Sequence, residues 1–224
     1  MNIFIEIIWV ILLGFTAMFY LTFDIWREKK SGTEKVRKVW KEQKNILIFC
    51  TIGIICAVGL SLDFSFLYKE NLLITNLKLI TLVMLLFPAG WVDFKKYIIP
   101  NELILFGLII RAILLIIEMV VYSDTFFSVV KDILYALAIV LFFLLIGVFL
   151  VKKGIGMGDI KLLFIMAIYQ GISGMSGSIF FSLLVAFVVS VFLLITHKKT
   201  KKDTIPFAPA VLLGTLISVA LSGM

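Results

Sequence analysis

The chain has 224 residues, of which 62% are hydrophobic and only 16% charged, with a net charge of +7 and a mean hydropathy of +1.15. A soluble domain of this length cannot bury so much apolar surface, which excludes the soluble globular classes and makes lipid the solvent. The positive charge does not point to nucleic acid, because excess Lys and Arg mark the cytoplasmic loops of a polytopic membrane protein. Eight apolar runs follow along the chain, at roughly 3–23, 46–62, 77–92, 100–121, 132–151, 160–173, 177–196 and 207–222. They are continuously apolar and do not alternate, which predicts an all-α polytopic bundle of about eight transmembrane helices in a single domain, 1–224, and not a barrel.

The first run has no Lys or Arg before it and contains Glu6, while positive charge follows it. This predicts an uncleaved anchor with the N-terminus outside. Residues 24–45 form the one sizeable extramembrane segment, a basic loop. Val36, Val39, Trp40 and Gln43 share a helical face there, so the segment reads as a basic amphipathic helix on lipid headgroups, anionic ones included, or as a solvated loop. The second run holds Cys50 and Cys56, which point about 240° apart on a helix and make no disulfide. No C-x-x-C pair occurs, and no metal or cofactor is expected. In the fourth run Arg111 lies about 16 Å deep. It is expected to pair with Glu118 or with Glu6, in a structural and not a catalytic role. The sixth run is short for a full crossing. His197, the one histidine, sits at a helix boundary beside Lys198 and Lys199.

Charge sets the topology. The loops 24–45, 93–101, 152–161 and 197–205 hold 17 of the 21 Lys and Arg, and the intervening connections hold three. That split alternates without exception if the chain crosses eight times. It puts both termini outside and those four loops on the cytoplasmic face. Dropping the short sixth run would break the alternation.

Two polar junctions carry chemistry on that face: Trp91–Asn101 with Asp93, and Lys152–Lys161 with Asp159. One histidine cannot supply a histidine-rich metal site, and Gly154–Asp159 does not match a dinucleotide or Walker loop. A carboxylate pair can hydrolyse a peptide, one ionised partner taking a proton from water while the protonated one donates to the carbonyl or the leaving amine. Two close carboxylates share one proton and titrate as a unit, and partial burial at a membrane rim favours keeping that proton. Gly156 and Gly158 let the backbone bend and approach an extended substrate. Pro100 sets the exit of the first junction, and Trp91 and Tyr97 suit an interface.

The motifs bear a resemblance. Asp93 followed by Lys95, Lys96 and Ile99-Pro100-Asn101, and the run Gly156-Met157-Gly158-Asp159-Ile160-Lys161-Leu162, resemble the two aspartate motifs of the bacterial type IV prepilin peptidases, membrane aspartyl proteases of the GxGD kind. Pro206-Phe207-Ala208-Pro209 is similar to a late Pro-Phe-Gly-Pro element of that family, with Ala208 in place of the glycine. The resemblance covers about residues 80–224. It implies an aspartyl endopeptidase that removes a short basic leader from pilin-like precursor proteins, with Asp93 and Asp159 as the catalytic pair. Gly156, Gly158, Pro100 and Asn101 would support them, and Lys161 matches the motif without a definite role. Many members carry paired cysteines in an N-terminal cytoplasmic loop and also N-methylate the product. Residues 24–45 contain no cysteine, so zinc in that loop and N-methyl transfer are not expected.

Two other readings stand beside this one. A proton-coupled secondary transporter would use the same carboxylates, but such sites lie near the midplane in repeated halves, and no repeat occurs here. A non-catalytic scaffold would leave positions 93 and 159 apart.

Overall fold

The computed structural model describes residues 2–30, 36–150, 156–197 and 205–224. Every regular element among them is an α-helix: α1 (Asn2–Lys30), α2 (Val36–Phe66), α3 (Leu73–Lys96), α4 (Asn101–Val121), α5 (Ser123–Leu150), α6 (Met157–Ile195) and α7 (Ala208–Ser222). Six are long and apolar enough to cross a membrane, and α7 is a shorter apolar helix. Phe15, Phe19, Ile55, Ile116, Phe180 and Phe187 all face outward, as suits a lipid solvent. The chain is the all-α membrane bundle that its composition predicts.

The helices overrun the apolar runs. α2 begins at Val36, so the basic residues 36–45 continue straight into the second span and form no separate surface helix. No Gly or Pro interrupts the chain between 36 and 52, and Lys, Arg, Glu and Gln all favour helix. The side chains of 28–42, which carry most of the amphipathic face, lie outside the described residues, as do the whole of 31–35, the lysines 152 and 153 and the cluster 198–202.

The chain divides into two compact units, Met1–Pro88 and Ala89–Met224. In the first, α1 buries Glu6, Val10, Leu13, Leu21 and Ile25, a stripe at helical spacing. Gly14 admits α2 closely, since a Cβ there would meet Ile54 at 2.7 Å. On α2, Gly53 lies against the Phe87 ring, and Phe49 meets that ring edge-on at 5.3 Å between centroids. Lipid offers no hydrogen bonds, so polar groups find internal partners. The Trp9 indole donates to Thr81 Oγ1 at 2.9 Å, and the Asn76 amide donates to Glu6 Oε1 at 2.8 Å.

In the second unit, α4 buries Leu103, Gly107, Arg111, Leu114 and Glu118, spaced by three, four and seven. α6 is too long for one crossing and is broken at Gly171, where φ is 65° and ψ −166°. Its first arm, 157–170, runs parallel to α4: Lys161 bonds Asn101, and further along Ile168 bonds Arg111. Its second arm, 172–195, runs antiparallel to α7, with Gly174 against Met224, Gly177 against Ser218 and Gly214 against Ser182. Gln170, at the end of the first arm, also reaches the Met224 carbonyl. The first arm thus ends where the second begins, and the chain reverses at Gly171. The short sixth run and the seventh are these two arms. A left-handed φ with extended ψ is essentially a glycine conformation, and the Asp132 carboxylate occupies the space a Cβ would take.

Candidate active site

Asp93 lies in the last turn of α3 and is 6% exposed. The helix ends at Tyr97, whose φ of 56° is left-handed and whose N–H donates to the Asp93 carbonyl at 2.9 Å, a helix-terminating arrangement. The carboxylate itself is held from another helix. Oδ2 accepts the N–H of Ala208, the first residue of α7, at 2.9 Å, and the Phe207 backbone bonds it as well. The first N–H groups of a helix have no intrahelical partner and suit an anion. Gly90, one turn before Asp93, lets α3 lie against Pro209, 3.6 Å from where a Cβ would stand.

Asp159 is the third residue of α6 and is half-buried. Its carboxylate lies back over Gly156, 3.0 Å from the position of a Cβ there. Gly158 faces Ile99, whose Cδ1 is 3.2 Å from the corresponding position. Neither glycine has a positive φ, and Gly156 sits at φ −57°, ψ 124°. They leave room for Asp159 and Ile99 at the point where α6 starts. Asp93 and Asp159, 66 positions apart in sequence, come within Coulombic range of each other.

Pro100 is the N-cap of α4, with φ −67° and ψ 134°, and Asn101 is the first helical residue. Asn101 Oδ1 accepts from Lys161 Nζ at 2.6 Å. Lys161, without a definite role in the sequence, therefore joins the exit of the Asp93 junction to the arm that carries Asp159. Trp91 is half-buried beneath Lys95, whose Nζ stands 4.8 Å from the ring centroid. Tyr97 is exposed. His197 ends α6, its N–H donating to the Leu194 carbonyl, which agrees with a boundary role. Of the two partners expected for Arg111, Glu118 is the one it meets, at 3.0 Å, while Glu6 takes Asn76 instead. Cys50 and Cys56 are both free, and among the described residues no three His, Cys, Asp or Glu side chains gather.

The contact that sequence reasoning missed is the Ala208 N–H. A backbone amide has no residue signature, and the only hint was the Pro-Phe-Ala-Pro element, which fixes where α7 begins.

A profile of the type IV leader peptidase family matches residues 80–195, just over half of the chain, and spans both aspartates. The chain belongs to the type IV leader peptidase family. Over 139 residues it is 27% identical to the prepilin leader peptidase/N-methyltransferase of Bacillus subtilis (strain 168), an alignment covering 62% of this chain and 53% of that relative. The chain thus matches about half the length of that relative. No solved structure matches. Within this family member the arrangement offers two carboxylates at helix ends, within Coulombic range of each other. One is bonded by a helix N-terminus, and the Lys161–Asn101 bond ties the start of α4 to the arm that carries the other.

Proposed function

We propose that this leader peptidase is a membrane aspartyl endopeptidase that cuts the leader from pilin-like precursors, with Asp93 and Asp159 as its catalytic pair. The observation that carries the reading is their proximity: two aspartates from separate motifs and separate helices lie within Coulombic range. On this reading the two carboxylates cannot both ionise cheaply and share one proton as substrate binds. The ionised carboxylate takes a proton from water as the oxygen attacks the scissile carbonyl carbon, and the protonated partner gives its proton to the carbonyl oxygen. Collapse of the tetrahedral adduct breaks the C–N bond: the departing amine takes a proton from the carboxyl that the water protonated, and an adduct hydroxyl gives one to the other carboxylate, so the pair again holds one proton.

The substrate class rests on the family and on the likeness to the prepilin leader peptidase/N-methyltransferase of Bacillus subtilis. The cytoplasmic orientation rests on the charge split of 17 against three, which favours the aspartate rim as the inner one. The absence of cysteine from 24–45 supports cleavage without N-methyl transfer.

Co-expression with a pilin-like precursor tests this. The parent chain should release the leader, with mass spectrometry giving the new N-terminus and its methylation state. Asp93→Asn and Asp159→Asn should each stop release while inserting normally. Near-parental processing by either variant would refute the assignment.

A further inference from the structure

Arg111 is the largest fully buried side chain among the described residues, 1% exposed in the middle of α4. Its fork serves two elements at once. Nη1 bonds Glu118 Oε2 at 3.0 Å, two turns along its own helix, and Nε donates to the Ile168 carbonyl at 2.9 Å on the first arm of α6. Ile168 stands in the last turn before the break at Gly171, where helix carbonyls lose their intrahelical partners and a cation is favoured. The next residue, Tyr169, donates its hydroxyl to the Gly107 carbonyl at 2.7 Å, and its ring lies 5.9 Å beneath the guanidinium. Arg111 Nη2 is buried without a hydrogen-bond partner. An arginine with an unsatisfied donor in an apolar interior is a poor choice for stability alone.

α4 and the first arm are parallel neighbours, and in lipid, where no hydrophobic effect drives helices together, interhelical hydrogen bonds act beside close packing. Directional contacts help to set the register. They lie at the two ends of the arm: Lys161 to Asn101 near the aspartates, and Ile168 and Tyr169 to Arg111 and Gly107 near the reversal. The arm is one helix between them, so a displacement at Ile168 is carried to Asp159, nine positions earlier. We propose that Arg111 is a positioning residue, which fixes the axial register of the α6 arm through the Ile168 carbonyl and thereby sets how closely Asp159 approaches Asp93. Its effect on cleavage rests on the proposed catalytic pair, whereas its effect on geometry does not.

Two variants test it. Arg111→Met with Glu118→Met removes both buried charges together and keeps the space filled, which membrane interiors tolerate better than breaking the pair. Arg111→Lys keeps the charge and loses the fork that reaches two acceptors. Geometry is read as the rate at which a short bifunctional thiol reagent bridges D93C and D159C, in a background carrying C50A and C56A. Function is read as kcat and KM for precursor cleavage with both aspartates in place. The double variant should insert normally, lose about tenfold in bridging rate and about 10²-fold in kcat, and keep KM within about twofold, as a misplacement near 1 Å predicts. Arg111→Lys should fall between it and the parent. Parental bridging and kcat in the double variant would overturn the proposal. Should the double variant fail to accumulate, Arg111→Lys decides: a slowed bridge supports the proposal and a parental one overturns it. Should the parent chain itself cleave no precursor, the proposed function fails and the bridging rates still decide the register.

Discussion

Replacing Gly171 by alanine tests the reversal on which the whole second unit is arranged. At φ 65° and ψ −166° the residue occupies a region that L side chains rarely enter; holding alanine there costs about 1–3 kcal/mol. The new Cβ would also meet the Asp132 carboxylate, which fills that space, and overpacking of this kind costs about 1–3 kcal/mol. The sum is about 2–6 kcal/mol, a large share of the 5–15 kcal/mol typical of a folded domain. The assay is unfolding in mixed micelles of rising denaturing-detergent fraction, followed by helicity. Gly171→Ala should be destabilised by that sum, and Gly171→Ala with Asp132→Ala should recover only the steric share. A Gly171→Ala protein within about 0.5 kcal/mol of the parent would refute the reversal as described, since surface substitutions change stability by no more than that. Full recovery by Asp132→Ala would show that no backbone strain is stored at Gly171.

The other consequences are quickly stated. Asp93→Asn and Asp159→Asn should each lower kcat/KM by about 10²–10⁴-fold, and the double variant should lose little more, because the two act as one unit; losses that multiply would refute a shared proton. Asp93→Asn should leave stability almost unchanged, because an amide oxygen can still accept the Ala208 N–H. Glu6→Gln keeps the acceptor for Asn76 and should cost at most about 1 kcal/mol, while Glu6→Ala strands a buried amide and should cost about 1–3 kcal/mol by the same unfolding assay. Lys161→Met and Asn101→Ala should each slow cleavage by a similar factor and combine without adding, as measured in a double-mutant cycle; independent effects would show that the 2.6 Å contact does not join α4 to α6 in the working enzyme.

Features of the chain that depend on one residue and its neighbours were readable in advance. Charge alternation demanded a separate run at 160–173 where hydropathy alone was weak, and a distinct helical arm at 157–170 matches that run. Arg111 announced itself as a lone cation in an apolar run, and Glu118 on the same helix was within geometric reach from spacing alone. What stayed hidden depends on backbone atoms brought from afar. The Ala208 N–H meets Asp93 across 115 positions, and the Ile168 carbonyl meets Arg111 across 57; any residue type could have supplied either atom. The packing at Gly158 was hidden likewise, since the space it leaves is filled by Ile99, a side chain from another junction. The start of α2 at Val36 was missed because charge was taken as a boundary, whereas Lys and Arg are good helix formers.

The register of α7 on the second arm of α6 bears on how a peptide reaches the pair. The two helices are antiparallel, and Ser182 lies against Gly214. Carrying that register back to Ala208 moves six positions along α6, to a level near residue 188. The helix continues to Ile195, about 10 Å further at 1.5 Å per residue. Phe187, Phe192 and Ile195 on that stretch are exposed and apolar. Ala208, and Asp93 bonded to it, therefore stand about 10 Å short of the end of α6 along the helix axis. A helical substrate segment keeps its carbonyls in i to i−4 bonds and offers none to attack, so the scissile region must unwind. An extended strand advances about 3.3 Å per residue and covers that depth with about three residues. On the proposed function, a substrate that enters from beyond the end of α6 must extend over about three residues to bring its scissile bond to the level of Asp93.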